Sequence, residues 1–157
     1  MRTSVDVSNY LLERDIPHEL VSLPGRLRSP GRMARIAAVL GLPPEEVGKV
    51  VLLERRRGLV AVLVASDRDP DLGRVARAVP SPTLTEVPPE RATELTEFLA
   101  EALPPVGLPA GTRVIVDRPL AQQEVLYFAG GEATSMLKIR AVDLVRATGA
   151  KVARVTK

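Results

Sequence analysis

Two apolar runs joined by a short polar link constrain the fold of this chain more than any other feature. Residues 47–53 and 59–65 consist mainly of valine, leucine and alanine, and the link between them, residues 54–58, is charged and ends in glycine. Runs of this kind around a glycine-containing link predict a β-hairpin. Because hydrophobic residues follow one another without alternation, we expect both faces of the hairpin to be covered.

Lys49 interrupts the first apolar run. A lysine at the start of such a strand either extends its ammonium group to water while its stem covers apolar surface, or directs the ammonium at an anion in a pocket. Only four of the 22 basic residues are lysines, so lysine stands out here against an arginine-rich background. Both interpretations of Lys49 remain open at this point.

The composition fits one soluble domain. The chain has 157 residues, 45% of them hydrophobic, and a chain of this size buries about two-thirds of its unfolded surface around a single core. It contains no cysteine, which excludes disulfides and cysteine chemistry. The first residues lack the apolar segment of a signal peptide, and no apolar run reaches the roughly 18 residues of a membrane span. We therefore expect a single domain over residues 1–157, located in the cytoplasm.

Basic residues cluster before and within a predicted helix at residues 30–40. The cluster consists of Arg26, Arg28, Arg32 and Arg35. Serine followed by proline at residues 29–30 is typical of a helix start. The apolar positions Met33, Ile36, Ala37 and Leu40 predict the inward face, which leaves Arg32 and Arg35 on an outward face. The cluster could bind phosphates, or it could be an ordinary solvated surface.

The rest of the chain alternates between helical and extended patterns. Apolar spacing and capping residues predict further helices at residues 4–14, 71–79, 88–99 and 141–148, and strands at 18–22, 113–117, 124–128, 135–139 and 152–155. These elements show no regular strand–helix–strand period. A mixed α/β sheet or a partly open barrel is therefore favoured over a doubly wound parallel sheet.

The usual catalytic constellations are missing from the sequence. His18 is the only histidine, so a zinc site lacks its partners, and no phosphate-binding loop or nucleophile elbow is present. Asp67 and Asp69 lack the glycine and terminal glutamate of a calcium loop, and we interpret them as turn residues. Gly130 and Gly131 follow a predicted strand. Their backbone N–H groups could hold a carbonyl or carboxylate oxygen, or the pair could form a tight hairpin turn.

Taken in order, several segments resemble the YbaK/prolyl-tRNA synthetase editing-domain family of aminoacyl-tRNA deacylases. They include AVLGLPPEEVGK at residues 38–49, FAGG at 128–131, and other matches at 11–17, 66–78, 104–108, 116–117 and 142–144. No single segment is diagnostic, but the ordered set covers nearly the whole chain. The resemblance implies a compact mixed α/β (α+β) fold with a largely antiparallel, barrel-like sheet flanked by helices.

The resemblance also implies a reaction: hydrolysis of the ester that joins a wrongly attached amino acid to the terminal adenosine of tRNA. Water attacks the carbonyl carbon and a ribose hydroxyl of the substrate assists proton transfer, so no metal, cofactor or side-chain base is required. The implied partners are a tRNA that carries an amino acid and an aminoacyl-tRNA synthetase. With tRNA as partner, the four arginines become candidate phosphate contacts.

The family's functional positions can be matched to individual residues. Lys49 matches the lysine that binds the phosphate and ribose end of the substrate. Gly130 and Gly131 match the glycine loop that holds the aminoacyl group. Asp143 matches a pocket-side aspartate, although a residue at the start of a helix has an equally good explanation as a cap.

Three departures from the family pattern change the predicted pocket wall. Val50 stands where many relatives have threonine, and Leu23 where an aromatic residue is frequent. Glu101 stands where many relatives have glycine, while Pro105 is retained. The added bulk and charge of Glu101 could shrink the pocket, attract an amino group or abolish hydrolysis.

The leading interpretation is a free-standing aminoacyl-tRNA deacylase. A second is an inactive module of the same fold that binds the tRNA end or an aminoacyl nucleotide, and Glu101 is the residue that motivates it. A third is an esterase that acts on a small aminoacylated metabolite.

Overall fold

The computed structural model describes residues 1–23, 32–81 and 83–157 of the chain. The elements in chain order are α1 (Ser4–Glu13), β1 (Glu19–Ser22), α2 (Arg32–Leu40), β2 (Gly48–Arg55), β3 (Gly58–Ala65), α3 (Leu72–Ala78), β4 (Thr85–Glu86), α4 (Pro89–Thr96), β5 (Arg113–Asp117), α5 (Arg118–Ala121), β6 (Val125–Ala129), β7 (Ser135–Arg140), α6 (Ala141–Thr148) and β8 (Lys151–Ala153). Short 3₁₀ turns occur at Pro44–Glu46 and Ala100–Ala102. Within these described ranges, no helix is both long and apolar enough to cross a membrane.

The strands form two sheets. The first has five strands in the order β4-β2-β3-β5-β8, and the second has three in the order β1-β7-β6. Pairing is parallel between β3 and β5 and between β5 and β8, and antiparallel elsewhere. The predicted mixed α/β class with largely antiparallel pairing is therefore confirmed.

The expectation of a barrel-like sheet is wrong for the described part of the chain. The two sheets meet at an isolated bridge between Val47 and Tyr127 instead of closing through a continuous ladder. A shared hydrophobic core, which includes Leu63 from the larger sheet and Phe128 from the smaller one, keeps the sheets packed against each other as separate layers. Side-chain packing thus replaces the edge-to-edge hydrogen bonds that a barrel requires.

The predicted hairpin is present, with β2 and β3 paired so that Lys49 lies opposite Val64. Side chains of β3 alternate between two cores: Leu59, Ala61 and Leu63 enter the core shared with the smaller sheet. Val60, Val62 and Val64 enter a second core, which α3 covers. Both faces are buried, as the unbroken apolar runs predicted.

The last strand ends earlier than its sequence pattern predicted, at Ala153 instead of residue 155. Its partner β5 stops at Asp117, so the chain beyond Ala153 has no strand with which to pair. The buried carboxylate of Asp117 takes over: Oδ1 accepts the N–H of Val155 at 2.9 Å, and Oδ2 accepts the hydroxyl of Thr156 at 2.7 Å. A side chain therefore satisfies the backbone at this point.

Candidate active site

An open cavity of about 210 Å³ lies at the start of β2. It is lined by Arg32, Met33, Lys49, Val50, Ser66, Ala100, Glu101, Leu103 and Ala129. These residues come from α2, β2, the loop after β3, the 3₁₀ turn at Ala100–Ala102 with its next residue, and the end of β6. The fold thus brings together three of the residues expected in a pocket, which are Lys49, Val50 and Glu101. The cavity combines apolar side chains with two cations, one carboxylate and a hydroxyl.

Lys49 is half-buried, and its ammonium group has a partner. Its side chain is 27% exposed, and its Nζ lies 2.8 Å from Oδ1 of Asp69, whose side chain is 88% exposed. An ammonium group carries three N–H donors, so this ion pair leaves donors for a ligand in the cavity. The anion that the ammonium meets is thus an exposed carboxylate of the chain itself, which does not line the cavity, and both interpretations of Lys49 remain open.

The cavity wall beside Lys49 depends on a close approach of β2 to the smaller sheet. A Cβ atom on Gly48 would overlap the ring of Phe128, which is fully buried in the core. Only glycine allows this contact. The next residue, Lys49, is consequently held close to the end of β6, where Ala129 lines the cavity.

The glycine loop does not present the pair of free amide donors that one of its two interpretations required. The N–H of Gly130 donates to the carbonyl of Ser135 at 2.9 Å, and the N–H of Gly131 donates to the carbonyl of Ala102 at 3.1 Å. Gly131 has a φ of +94°, and a Cβ there would lie 2.9 Å from Cγ2 of Val7. The glycines therefore allow a tight turn and close packing, and the bond to Ala102 secures the turn that carries Glu101.

The two residues after the glycines tie the loop to α1 and α2. The carboxylate of Glu132 accepts the backbone N–H of Ser4 at 2.9 Å and its hydroxyl at 2.7 Å. These bonds lower the pKa of Glu132 from its usual value of 4.5. Because the pKa of Glu132 is lower in the folded than in the unfolded state, its hydrogen bonds to Ser4 stabilise the fold at a pH above the unfolded-state pKa. This stabilisation is lost as the pH falls through the folded-state pKa. The carbonyl of Ala133 accepts a hydrogen bond from Nη2 of Arg32 at 2.6 Å.

The predicted outward position of Arg32 is wrong. Arg32 is 5% exposed and lines the cavity. It lies four residues before the buried Ile36, and residues four apart share a helix face, so Arg32 belongs to the edge of the inward stripe. Arg35 is exposed, as predicted. Arg26 and Arg28 lie outside the described residues.

The cavity lining does not include three other residues that we expected in the pocket, which are Leu23, Pro105 and Asp143. Leu23 packs in the hydrophobic cluster behind it, together with Met33 and Ala129. Pro105 lines a separate cavity of about 280 Å³ beside Tyr10 and Arg14.

Asp143 lies in the first turn of α6 and is 7% exposed. Its carboxylate is 3.3 Å from Nη2 of Arg146 and 3.9 Å from Nε of Arg140. The N-cap residue of α6 is Arg140, so the capping interpretation of Asp143 is wrong. A carboxylate in the first turn nevertheless interacts favourably with the helix dipole.

Sequence reasoning missed Asp69 and Ser66 as neighbours of Lys49. We interpreted Asp69 as a turn residue, yet it pairs with Lys49, and Ser66 lines the cavity while being only 4% exposed. The predicted hairpin could have indicated these neighbours. Because Gly48 pairs with Ala65, the residues that follow Ala65 lie beside the start of β2. In the described parts of the chain, no group of three potential ligands among histidine, aspartate and glutamate could hold a metal ion.

Comparison with known proteins assigns the chain to a family. The model of the aminoacyl-tRNA editing domain matches residues 31–147, about three-quarters of the sequence. The chain belongs to this family. The cavity residues of this editing domain all fall inside the matched region.

Two solved structures are similar to this editing domain along its length. The crystal structure of a proposed trans-editing enzyme for prolyl-tRNA synthetase has 26% sequence identity and a TM-score of 0.86, and the match covers 100% of this chain and 98% of that one. The crystal structure of a hypothetical protein has 27% identity and a TM-score of 0.88, with coverage of 97% and 99%. Family membership and the similarity to the proposed trans-editing enzyme support an activity on aminoacyl-tRNA in general.

Proposed function

We propose that this editing domain is a free-standing deacylase that hydrolyses the ester of a mischarged tRNA. The observation that carries the proposal is the position of Lys49 in a member of this family: a half-buried lysine side chain that lines an open cavity. A flexible ammonium suits an anionic phosphate as a point charge. The similarity to a proposed trans-editing enzyme supports the same reaction class.

The reaction consists of one displacement at the ester carbonyl. The oxygen of water bonds to the carbonyl carbon, the bond from that carbon to the ribose oxygen breaks, and a ribose hydroxyl relays the proton to the leaving oxygen. Lys49 binds the phosphate and ribose end of the substrate, and Met33, Val50 and Leu103 contact the amino-acid side chain.

The developing negative charge on the carbonyl oxygen needs hydrogen-bond donors. The amides of Gly130 and Gly131 already donate within the chain, so they are poor candidates for this role. We assign it to Arg32, whose planar guanidinium lines the cavity and is oriented by the carbonyl of Ala133. Nη1 of Arg32 also lies 3.6 Å from the sulfur of Met33, so the guanidinium is held in place on the cavity wall.

We assign binding of the tRNA body to arginine side chains that contact its phosphates. Arg35 on α2 is exposed, and Arg26 and Arg28 precede it in the sequence. Arginine side chains at the surface neutralise phosphates without reading base sequence. This binding would present the acceptor end to the cavity and would support a role in translation fidelity.

A second candidate is an inactive module that binds the tRNA end. Glu101 favours it, because this carboxylate lines the cavity that must accept an anionic nucleotide.

A panel of mischarged tRNAs decides between the two functions. The protein is incubated with each one, and ester loss is compared with the spontaneous rate and with Lys49→Ala. Hydrolysis of at least one member, reduced in the variant, is expected. Binding without hydrolysis of any member would favour the inactive module. Equal hydrolysis of short aminoacyl nucleosides would favour an esterase for small metabolites.

Glu101 is expected to control which amino acid is removed. Glu101→Gly should open the cavity, because it deletes a side chain that lines the wall, and should admit a larger amino acid. The measurement is the ranking of hydrolysis rates across the same panel. Glycine also raises the freedom of the unfolded chain, so a small loss of thermal stability accompanies the change. An unchanged ranking with only that loss would mean that Glu101 does not determine specificity.

A further inference from the structure

We propose that Asp69 is a positioning residue for Lys49: its carboxylate holds the ammonium group at the cavity, in the orientation in which it receives the anionic end of the substrate. The inference rests on the proposed function of Lys49 as a phosphate ligand. It concerns a residue that lines no part of the cavity itself and acts only through the lysine.

The contact between the two side chains is direct. Lys49 Nζ and Asp69 Oδ1 are 2.8 Å apart, a distance typical of a charge-assisted hydrogen bond. Lys49 lies opposite Val64 in the hairpin, and Asp69 lies in the loop between β3 and α3.

The loop that carries Asp69 is fixed at both ends. At its start, the N–H of Ser66 donates to the carbonyl of Val47 at 2.7 Å. At its end, the N–H of Asp71 donates to the carbonyl of Val155 at 2.7 Å. Val155 is held in turn by the buried Asp117. Because the loop is anchored at Ser66 and at Asp71, the Asp69 carboxylate can reach only a small region. The ammonium group of Lys49, which pairs with this carboxylate, is restricted to the same region.

The ion pair is unsuited to a role in stability. The side chain of Asp69 is 88% exposed, and ion pairs of exposed groups are screened by water and contribute little to folding. A free lysine side chain, by contrast, has many rotamers and loses them when it binds a ligand. Holding the ammonium in advance reduces this entropic cost of binding. We therefore expect removal of Asp69 to weaken substrate binding and leave thermal stability unchanged.

The test compares Asp69→Ala with Asp67→Ala, Lys49→Ala and the Lys49→Ala/Asp69→Ala double variant. Asp67 is a matched control, since it is an exposed carboxylate in the same loop and the Lys49 ion pair is with Asp69. One readout is KM and kcat for the tRNA that the panel identifies. The other is the affinity for adenosine 5′-monophosphate, measured by NMR titration, which needs no turnover. Thermal melting is recorded for every variant.

Asp69→Ala is expected to raise KM and to weaken nucleotide binding about three- to fivefold, with kcat and the melting temperature unchanged. Asp67→Ala should match the wild type, and Asp69→Ala should have no further effect once Lys49 is absent, as a double-mutant cycle requires. Unchanged or tighter binding in Asp69→Ala would overturn the inference, since Asp69 would then be neutral or a competitor of the substrate. An equal loss in the Lys49→Ala background would overturn it too.

The two readouts separate this inference from the proposed function. A wild-type protein that binds the nucleotide but hydrolyses no ester would refute the deacylase, while the binding comparison would still test Asp69. A wild-type protein that neither binds nor hydrolyses would overturn both.

Discussion

Replacing Lys49 with alanine is expected to lower the rate of aminoacyl-tRNA hydrolysis at least about tenfold, the equivalent of about 1.4 kcal/mol of lost stabilisation. Lys49 lines the cavity, and alanine removes the side chain to which we assign the phosphate at the reacting end of the substrate. The protein should remain folded, because Lys49 contributes no buried apolar group to the cores. Deacylation kinetics and thermal melting measure the two effects.

Two further variants make the Lys49 result specific. Lys138→Ala removes a half-buried lysine on β7, outside the cavity, and should retain the wild-type rate. Lys49→Arg should restore little activity, because a planar guanidinium occupies a different volume and a different direction. Wild-type rates in a folded Lys49→Ala variant would refute the assignment of Lys49.

Asp117→Ala is expected to lower the free energy of unfolding by about 2–5 kcal/mol. The Asp117 carboxylate is 1% exposed and accepts hydrogen bonds from the backbone of Val155 and the hydroxyl of Thr156, which are buried as well. Alanine would leave both donors without a partner, at a cost of about 1–3 kcal/mol each. Chemical denaturation gives the free energy, and the midpoint of thermal unfolding should fall by roughly 5–15 °C.

The matched control is Asp67→Ala, an aspartate that is exposed and whose loss should change stability by less than about 0.5 kcal/mol. Asp117→Asn should be intermediate, since its amide oxygen can still accept a hydrogen bond while its NH₂ group cannot. A loss below about 1 kcal/mol in Asp117→Ala would mean that water satisfies the donors of Val155 and Thr156.

Local pattern predicted those elements of the fold that local physics controls. The hairpin of β2 and β3 followed from its unbroken apolar runs, and its burial on both faces followed from the absence of alternation. The last helix followed from its apolar spacing and from Gly149, which ends it with a left-handed φ of 63°. The barrel expectation failed because nothing in a strand's sequence records whether its edge pairs with another strand or packs against side chains.

The site could be predicted in part. Lys49 was identified from its place in an apolar strand, and Val50 and Glu101 from the resemblance to the editing-domain family. All three line one cavity. Arg32 was assigned to the wrong face because the periodic pattern gives an inward direction but not the width of the buried stripe. Asp69 was overlooked because an aspartate that only shapes a turn cannot be distinguished, in the sequence, from one that pairs with a distant lysine.

By itself, the sequence determined the apolar hairpin, the mixed succession of helices and strands, and the presence of a lone lysine where an apolar strand begins, because these depend on spacing over a few residues. Only the tertiary structure decided which polar groups remain available. The amides of Gly130 and Gly131 are already bonded to Ser135 and Ala102, and the ammonium of Lys49 already meets Asp69. Hydrogen-bond partners are set by distances between segments far apart in the chain, and those distances exist only once the cores have packed.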